Sequence, residues 1–231
     1  MFEFLKKYYR YLFKNPPKYK LTFKTKTERH GNLYGGWNII PNSLNPTSII
    51  YSFGIGEDIS FDLSIINKYN CFVQAFDPTP RVSKWLETQE IPDKFKSYPI
   101  GLSNINGKLT FYEPIDKNHI SHTAVSDGTT KAISVNCNKL ITIMNSLGND
   151  KLDLLKMDIE GFEYDVMSDI IDSGIKPIQI LVEFHHFLPG ICNIKTEQAI
   201  NQLENYGYRL FYVSDSFCEY SFINEENIYL I

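Results

Sequence analysis

The run Ser52-Phe53-Gly54-Ile55-Gly56-Glu57-Asp58 follows a β-branched and aromatic stretch that begins at Ile49. A hydrophobic strand leading into Gly-x-Gly brings backbone close to a ligand at the carboxyl edge of a sheet, because no Cβ stands in the way at Gly54 or Gly56. An ordinary strand-to-helix turn would use the same residues. A second signal favours the ligand. Asp77, in Ala75-Phe76-Asp77-Pro78, ends the next expected strand roughly 20 residues further on, where an acid accepts hydrogen bonds from the hydroxyls of an adenosine ribose.

A nicotinamide enzyme calls for Gly-x-Gly-x-x-Gly, whose third glycine lets helix and strand pack closely beneath a pyrophosphate. Here the third position is Ile59, and Glu57 and Asp58 put negative charge where the pyrophosphate would sit. S-adenosylmethionine has no phosphate and carries a sulfonium and an ammonium, which acids suit. It is therefore the expected cofactor. A NAD-dependent oxidoreductase and a non-catalytic binding or scaffold protein that keeps the fold are the alternatives.

Two further runs carry carboxylates and imidazoles. Leu154-Leu155-Lys156-Met157-Asp158-Ile159-Glu160-Gly161-Phe162-Glu163 places three acids just past a continuous apolar strand, and Val182-Glu183-Phe184-His185-His186 ends the next one. Alternation puts Glu183 and His185 on one side and His186 on the other. Methyl transfer to an oxygen is mainly a positioning task, and a neutral histidine in hydrogen-bond reach can take the hydroxyl proton. His185 is the expected base, with Glu183 as its orienting partner or a substrate contact. The alternative is that both are satisfied polar residues at a strand end. Asp158, Glu160, Glu183 and His185 could also hold a divalent ion, but no motif of fixed spacing supports one and no metal is expected.

From about Ser48 to Glu183 the chain resembles the FkbM-type family of class I S-adenosylmethionine-dependent methyltransferases. The resemblance rests on Ser52 to Gly56, on Phe76-Asp77-Pro78, and most specifically on Leu155 to Glu163. Tyr34-Gly35-Gly36-Trp37 and Tyr51-Ser52-Phe53-Gly54 also look like the methyltransferase-like branch of these proteins. The resemblance implies that Gly54, Gly56 and Glu57 line the methionine half of the cofactor and that Asp77, beside Pro78, grips the ribose. It implies too that Gly101 and Leu102 flank the adenine and that Asp158 lies near the amino group or the reacting methyl. Ser52 departs from the acid that many class I enzymes carry in the first strand. Family members often methylate hydroxyls of sugars or polyketide-type products, so a glycan precursor or other small molecule is the expected acceptor.

These residues must be positioned by strands and helices in alternation. Strand signals at 49–53, 71–76, 96–100, 152–157 and 178–184 are separated by helical stretches, which implies βαβ units. The strands at 209–213 and 219–223 lie too close for a crossover helix and must form a hairpin. The expected fold is α/β and Rossmann-like, a mostly parallel sheet of about seven strands ending in an antiparallel hairpin. Short extra strands are expected at 108–112 and 132–135, with a last edge strand at 228–231.

Three segments are expected: a basic amphipathic helix over residues 1–17, an ordered lead-in over 18–48, and the cofactor-binding domain over 49–231. The first either packs on the domain or a second subunit, or contacts an anionic membrane through residues 2–14. Trp37 offers a flat surface to a sugar. His119 and His122, in a polar loop, could reach over the acceptor, as could Glu160 and His186; Arg81 either binds an anionic group or begins a helix.

Composition bounds the rest. With 43% hydrophobic and 22% charged residues the chain can bury a core, which argues against disorder. The formal net charge is −4, and the basic residues crowd into the first thirty positions, so a nucleic-acid partner is not expected. Cys71, Cys137, Cys192 and Cys218 form no CxxC pair, which points to a reducing, cytoplasmic setting. No apolar run is long enough to span a bilayer.

Overall fold

In the computed structural model, which describes residues 16–112, 132–188 and 190–230, the lead-in forms a two-stranded antiparallel sheet of β1 (Glu28–His30) and β2 (Trp37–Ile39). Alternating elements follow: β3 (Ile49–Phe53), α1 (Ser60–Tyr69), β4 (Phe72–Phe76), α2 (Pro80–Leu86) and β5 (Phe95–Tyr98). Next come β6 (Gly101–Leu102), β7 (Gly107–Tyr112), β8 (Ala132–Asn138) and α3 (Leu140–Leu147). The chain then runs through β9 (Leu154–Met157), α4 (Glu163–Asp172), β10 (Gln179–Glu183), α5 (Asn193–Asn205), β11 (Tyr208–Val213) and β12 (Glu219–Asn224).

Seven strands make the central sheet in the order β11-β12-β10-β9-β3-β4-β5. The β3, β4, β5, β9 and β10 pairings are parallel, and β12 runs antiparallel to both β10 and β11. The expected mostly parallel sheet with a terminal hairpin is therefore present. From β3 the chain first winds outward through β4 and β5, then returns to β9 on the other side. That reversal puts the topological switch point at the carboxyl ends of β3 and β9, the place where open α/β sheets bind ligands.

Both sheet faces are apolar because both are covered. On one face Tyr51, Phe53, Phe76, Leu155, Met157 and Val182 pack against α3, α4 and α5. On the other, Ile50, Val73, Leu154 and Leu181 meet α1 together with Trp37, Ile39 and Leu44. The lead-in is thus built into the core. Helix ends follow local chemistry: Pro80 begins α2, and α1 stops at Asn70, whose left-handed backbone (φ 55°) lets its N–H donate to the Ile66 carbonyl.

Two expectations change, and the expected extra strands gain a place. The strand over 96–100 ends at Tyr98, before Pro99. The extra strands join β6 in a separate three-stranded sheet, order β6-β8-β7, and do not extend the main one. The edge strand expected at 228–231 is a 3-10 turn over Glu225–Leu230. It starts where Glu225 N–H donates to the Gly207 carbonyl and Asn224 Oδ1 accepts from Glu226 N–H, which curls the chain away from the sheet. Residues 1–15, where the basic helix was expected, and the loop with His119 and His122 lie outside the described residues. No helix among the described residues is long and apolar enough to cross a membrane.

Candidate active site

The crevice begins at Gly54. Its φ of +70° is one that only glycine adopts freely, and a Cβ there would overlap the carbonyl oxygen of Asp158. The close approach that demands glycine is therefore made by the neighbouring strand's own backbone. Gly54 N–H donates to Phe76 O at 2.9 Å and Asp158 N–H to Phe53 O at 3.1 Å, which locks the ends of β3, β4 and β9 together. Gly56 turns the chain again at φ +53°.

Asp77 points into this turn. Its Oδ2 accepts from Gly56 N–H at 3.1 Å, and its Oδ1 accepts from the Thr79 N–H at 3.0 Å and hydroxyl at 2.6 Å. A carboxylate has about four acceptor positions, so roughly one is left for a ligand hydroxyl. Below it opens a cavity of about 330 Å³ lined by Ile55, Asp77, Val82, Ile91 and Tyr98 among others. Ser83, Glu87 and Ser97 share the lining with these apolar side chains, so the space beside Asp77 offers a nucleoside both apolar contact and polar partners.

The two acids after Gly56 are otherwise engaged. Glu57 takes two hydrogen bonds from the Arg81 guanidinium, at 2.6 and 3.1 Å. Asp58 caps α1 through Ser60 N–H at 2.8 Å and accepts from Asn32 Nδ2 at 2.7 Å, tying down the β1–β2 turn. Arg81 neutralises Glu57, while Asp58 keeps its charge and is held by neutral donors; the pairing with Arg81 turns Glu57 away from the role expected of it at the methionine half. The case against a pyrophosphate then rests on Ile59, which is buried where a third glycine would stand.

On the far side of Gly54 stands a cluster of acids around one imidazole. His185, with a side chain only 4% exposed, has Nδ1 at 2.6 Å from Glu163 Oε1; its Nε2 faces Glu160 Oε2 at 3.4 Å and Asp158 Oδ1 at 3.6 Å. Glu183 completes the group: one ligand atom from each of Asp158, Glu183 and His185 lies within 4.8 Å of the others. Glu163 is fully buried and also accepts from Gly161 N–H at 3.0 Å, so it holds both the Asp158–Gly161 turn and the ring. Glu160 sits at φ +55°, a strained conformation for a non-glycine residue, and that strain aims its carboxylate at Nε2.

The electrostatics follow from crowding. Burial resists charge on His185, but the fields of Glu163 and Glu160 outweigh it and hold the imidazole well above its usual range. Burial pushes the Asp158 and Glu183 carboxyls up, against Lys156 in the first case and with help from Asp158 in the second. Beneath the Gly54 turn the buried Lys156 ammonium donates to Gly54 O at 2.7 Å and Phe53 O at 3.1 Å. Tyr34 is largely exposed and projects at the rim; crowding of its hydroxyl and the charges of Asp158, Glu183 and Glu160 raise its phenol.

The structure brings Asp77, Asp158, Glu160, Glu183 and His185 to one crevice and corrects several roles. The carboxylates around His185 raise its imidazole well above the usual range, which works against the neutral base expected. Its orienting partner is Glu163, not Glu183. His186 turns away to Thr196 Oγ1 at 3.4 Å, and burial lowers its pKa to about 4, so it does not face the acceptor. Trp37 is 5% exposed and lies with the Lys156 ammonium 5.5 Å from its ring centre, which makes it core and no platform. Gly101 is buried against Pro78 and Cys137, and Leu102 belongs to the main core, so neither offers a surface to an adenine; half-buried Pro78 packs there too. Sequence reasoning missed Glu163, Lys156 and Tyr34. A lysine inside an otherwise apolar central strand was the one available signal.

Residues 13–210 match the methyltransferase FkbM domain family. Among curated proteins the chain is 29% identical over 174 residues to the probable methyltransferase-like protein 24 of Rattus norvegicus, covering 71% of this chain and 42% of that protein. The protein of the same name from Homo sapiens is 27% identical over 187 residues, covering 76% and 45%. The chain spans less than half the length of these relatives. Among solved structures, methyltransferase FkbM from Methylobacillus flagellatus KT superposes with a TM-score of 0.50 at 12% identity, over 78% of this chain and 44% of that one. With the family match running through the glycine turn, Asp77 and the acid cluster, the chain belongs to the FkbM methyltransferase family.

Proposed function

We propose that this chain moves a methyl group from S-adenosylmethionine to a hydroxyl oxygen of a sugar, glycan precursor or other small acceptor. The observation that carries this assignment is the junction at one switch point of an acid-bounded cavity and a half-buried, carboxylate-rich cluster around His185. The cavity at Asp77 suits a nucleoside, and the cluster at Asp158 suits positive charge. When bound, S-adenosylmethionine supplies an electrophilic methyl on a sulfonium.

The chain's residues do the rest by placement. Asp77 holds one ribose hydroxyl, Ile55, Val82 and Tyr98 enclose the base, and Asp158 faces the cationic end. Glu183, Glu160 and His185 receive the acceptor on the opposite side, with Tyr34 at the entrance. His185 donates from Nε2 to the acceptor oxygen. The proton that leaves this oxygen as its bond to carbon forms passes to a carboxylate of the set, Glu183 being the one placed beside Asp158 and His185. The carbon–sulfur electron pair stays with sulfur.

Thermal unfolding with S-adenosylhomocysteine or NAD tests the cofactor, since a ligand of the folded state raises the midpoint. S-adenosylhomocysteine is expected to raise it and NAD to leave it unchanged. Asp77→Ala is expected to weaken S-adenosylhomocysteine binding about ten- to hundredfold, the worth of a hydrogen bond to a charged group. A shift with NAD alone, or full affinity in Asp77→Ala, would overturn the assignment.

A further inference from the structure

We propose that Asp158, Glu183 and His185 form a binding site for one hard divalent cation, Mg²⁺ or Mn²⁺, on the acceptor side of the crevice. Their donor atoms lie within 4.8 Å of one another, close to the roughly 4.2 Å that bonds of about 2.1 Å to one ion can reach across, so a small side-chain adjustment brings them onto it. Two carboxylates and one imidazole, with no thiolate, suit these ions.

The second observation is the way His185 is held. A metal-binding histidine nearly always gives its other ring N–H to a carboxylate, which fixes the ring and makes the free nitrogen a better ligand. Here Nδ1 meets the fully buried Glu163 at 2.6 Å, and Glu163 is itself pinned by Gly161 N–H and, at 3.3 Å, by Ile159 N–H. Such a rigid support is more than a solvated histidine needs. The side chain is 4% exposed and turns Nε2 inward, where the contacts to Glu160 and Asp158 at 3.4 and 3.6 Å are long for hydrogen bonds. Asp158 Oδ1, the atom nearest Nε2 on its side, is sealed from solvent and receives no hydrogen bond.

Charge balance points the same way. Asp158, Glu160, Glu163 and Glu183 converge on one imidazole, while Lys156 is committed to the Phe53 and Gly54 carbonyls.

The site deepens, and for its role rests on, the methyl-transfer assignment: with the ion bound, His185 and Glu183 act as its ligands in place of hydrogen-bond donor and proton acceptor, and an acceptor hydroxyl on the ion would lose its proton more readily, to Glu160 beside the ligand set. The test is Mn²⁺ titration of the chelator-treated full chain, followed by the electron paramagnetic resonance of free Mn²⁺. One Mn²⁺ per chain is expected, displaced by Mg²⁺. Glu183→Gln is expected to weaken it at least about tenfold, and Glu163→Gln, which leaves all three ligands in place, about ten- to hundredfold. Asp150→Asn, at an exposed acid elsewhere, should bind as wild type. No saturable Mn²⁺ binding by the folded wild-type chain, or full affinity in Glu183→Gln, would overturn the site. Parallel S-adenosylhomocysteine titrations separate the two ideas: cofactor without Mn²⁺ sinks the cation, and Mn²⁺ without cofactor sinks the methyl-transfer assignment.

Discussion

Gly54 and Gly174 share nearly the same left-handed backbone, at φ +70° and +71°, but not the same surroundings. A Cβ on Gly174 meets nothing within 4 Å, whereas one on Gly54 would strike the Asp158 carbonyl, a backbone atom that cannot swing aside. Gly174→Ala therefore carries only the conformational cost, about 1 kcal/mol. Gly54→Ala adds a collision inside the central sheet, and the expected loss is about 4 kcal/mol or more. Urea unfolding of the two variants checks this; equal losses would mean that the β3–β9 contact is not what selects glycine. The sequence suggested glycine at 54 for a ligand's sake. The structure shows that packing already requires it, so the residue's presence alone is weak evidence for a cofactor.

Helix α1 illustrates how an element can carry a charge its own sequence does not explain. Asp62 lies in its first turn, buried at the sheet, and burial raises its pKa to about 6 although Lys156 and the Ser52 hydroxyl oppose the shift. An acid whose folded pKa is raised gives its full stability below the unfolded value near 4 and loses it as pH climbs through 6. Asp62→Asn, a mimic of the protonated acid, should thus be more stable than wild type by about 1–3 kcal/mol at about pH 7.5. The gap should close by about pH 4, and a variant weaker than wild type at neutral pH would contradict the linkage. Elements of this kind were legible where their pattern is local. The strands, the Gly54–Gly56 turn, Asp77 and the acid-rich turn after β9 all show as short runs with a fixed period. What was not legible depends on partners distant in the chain: that Glu163 rather than Glu183 grips His185, that Arg81 takes Glu57, and that β7 and β8 leave the main sheet. An alternating pattern marks a strand but names no neighbour.

At the scale of the whole molecule, the lead-in decides whether the sheet is a finished object. Read from the sequence, residues 49–231 look like a self-sufficient domain, yet residues 16–48 fill places that nothing else among the described residues covers. Trp37, Ile39 and Leu44 close the α1 face, and Ile40 packs with Phe211 and Ile223. The fully buried Gln179 side chain accepts from Ile40 N–H at 3.0 Å and donates to Ser43 Oγ at 2.7 Å; buried Ser221 donates to Asn38 O at 2.9 Å. Thr22 and Phe23 N–H both reach Leu210 O, where β11 shifts register. Removing the segment would strand these polar groups at about 1–3 kcal/mol each and expose four large apolar side chains worth about 1.5–3 kcal/mol apiece. That loss is comparable to the ~5–15 kcal/mol that holds a typical domain folded. A 49–231 fragment should therefore lack the cooperative thermal transition and near-ultraviolet dichroism of the full chain. It should also fail to bind S-adenosylhomocysteine, because Asn32 no longer clasps Asp58 beside the glycine turn. A fragment that melts cooperatively at the full chain's midpoint would show instead that the sheet closes without its lead-in.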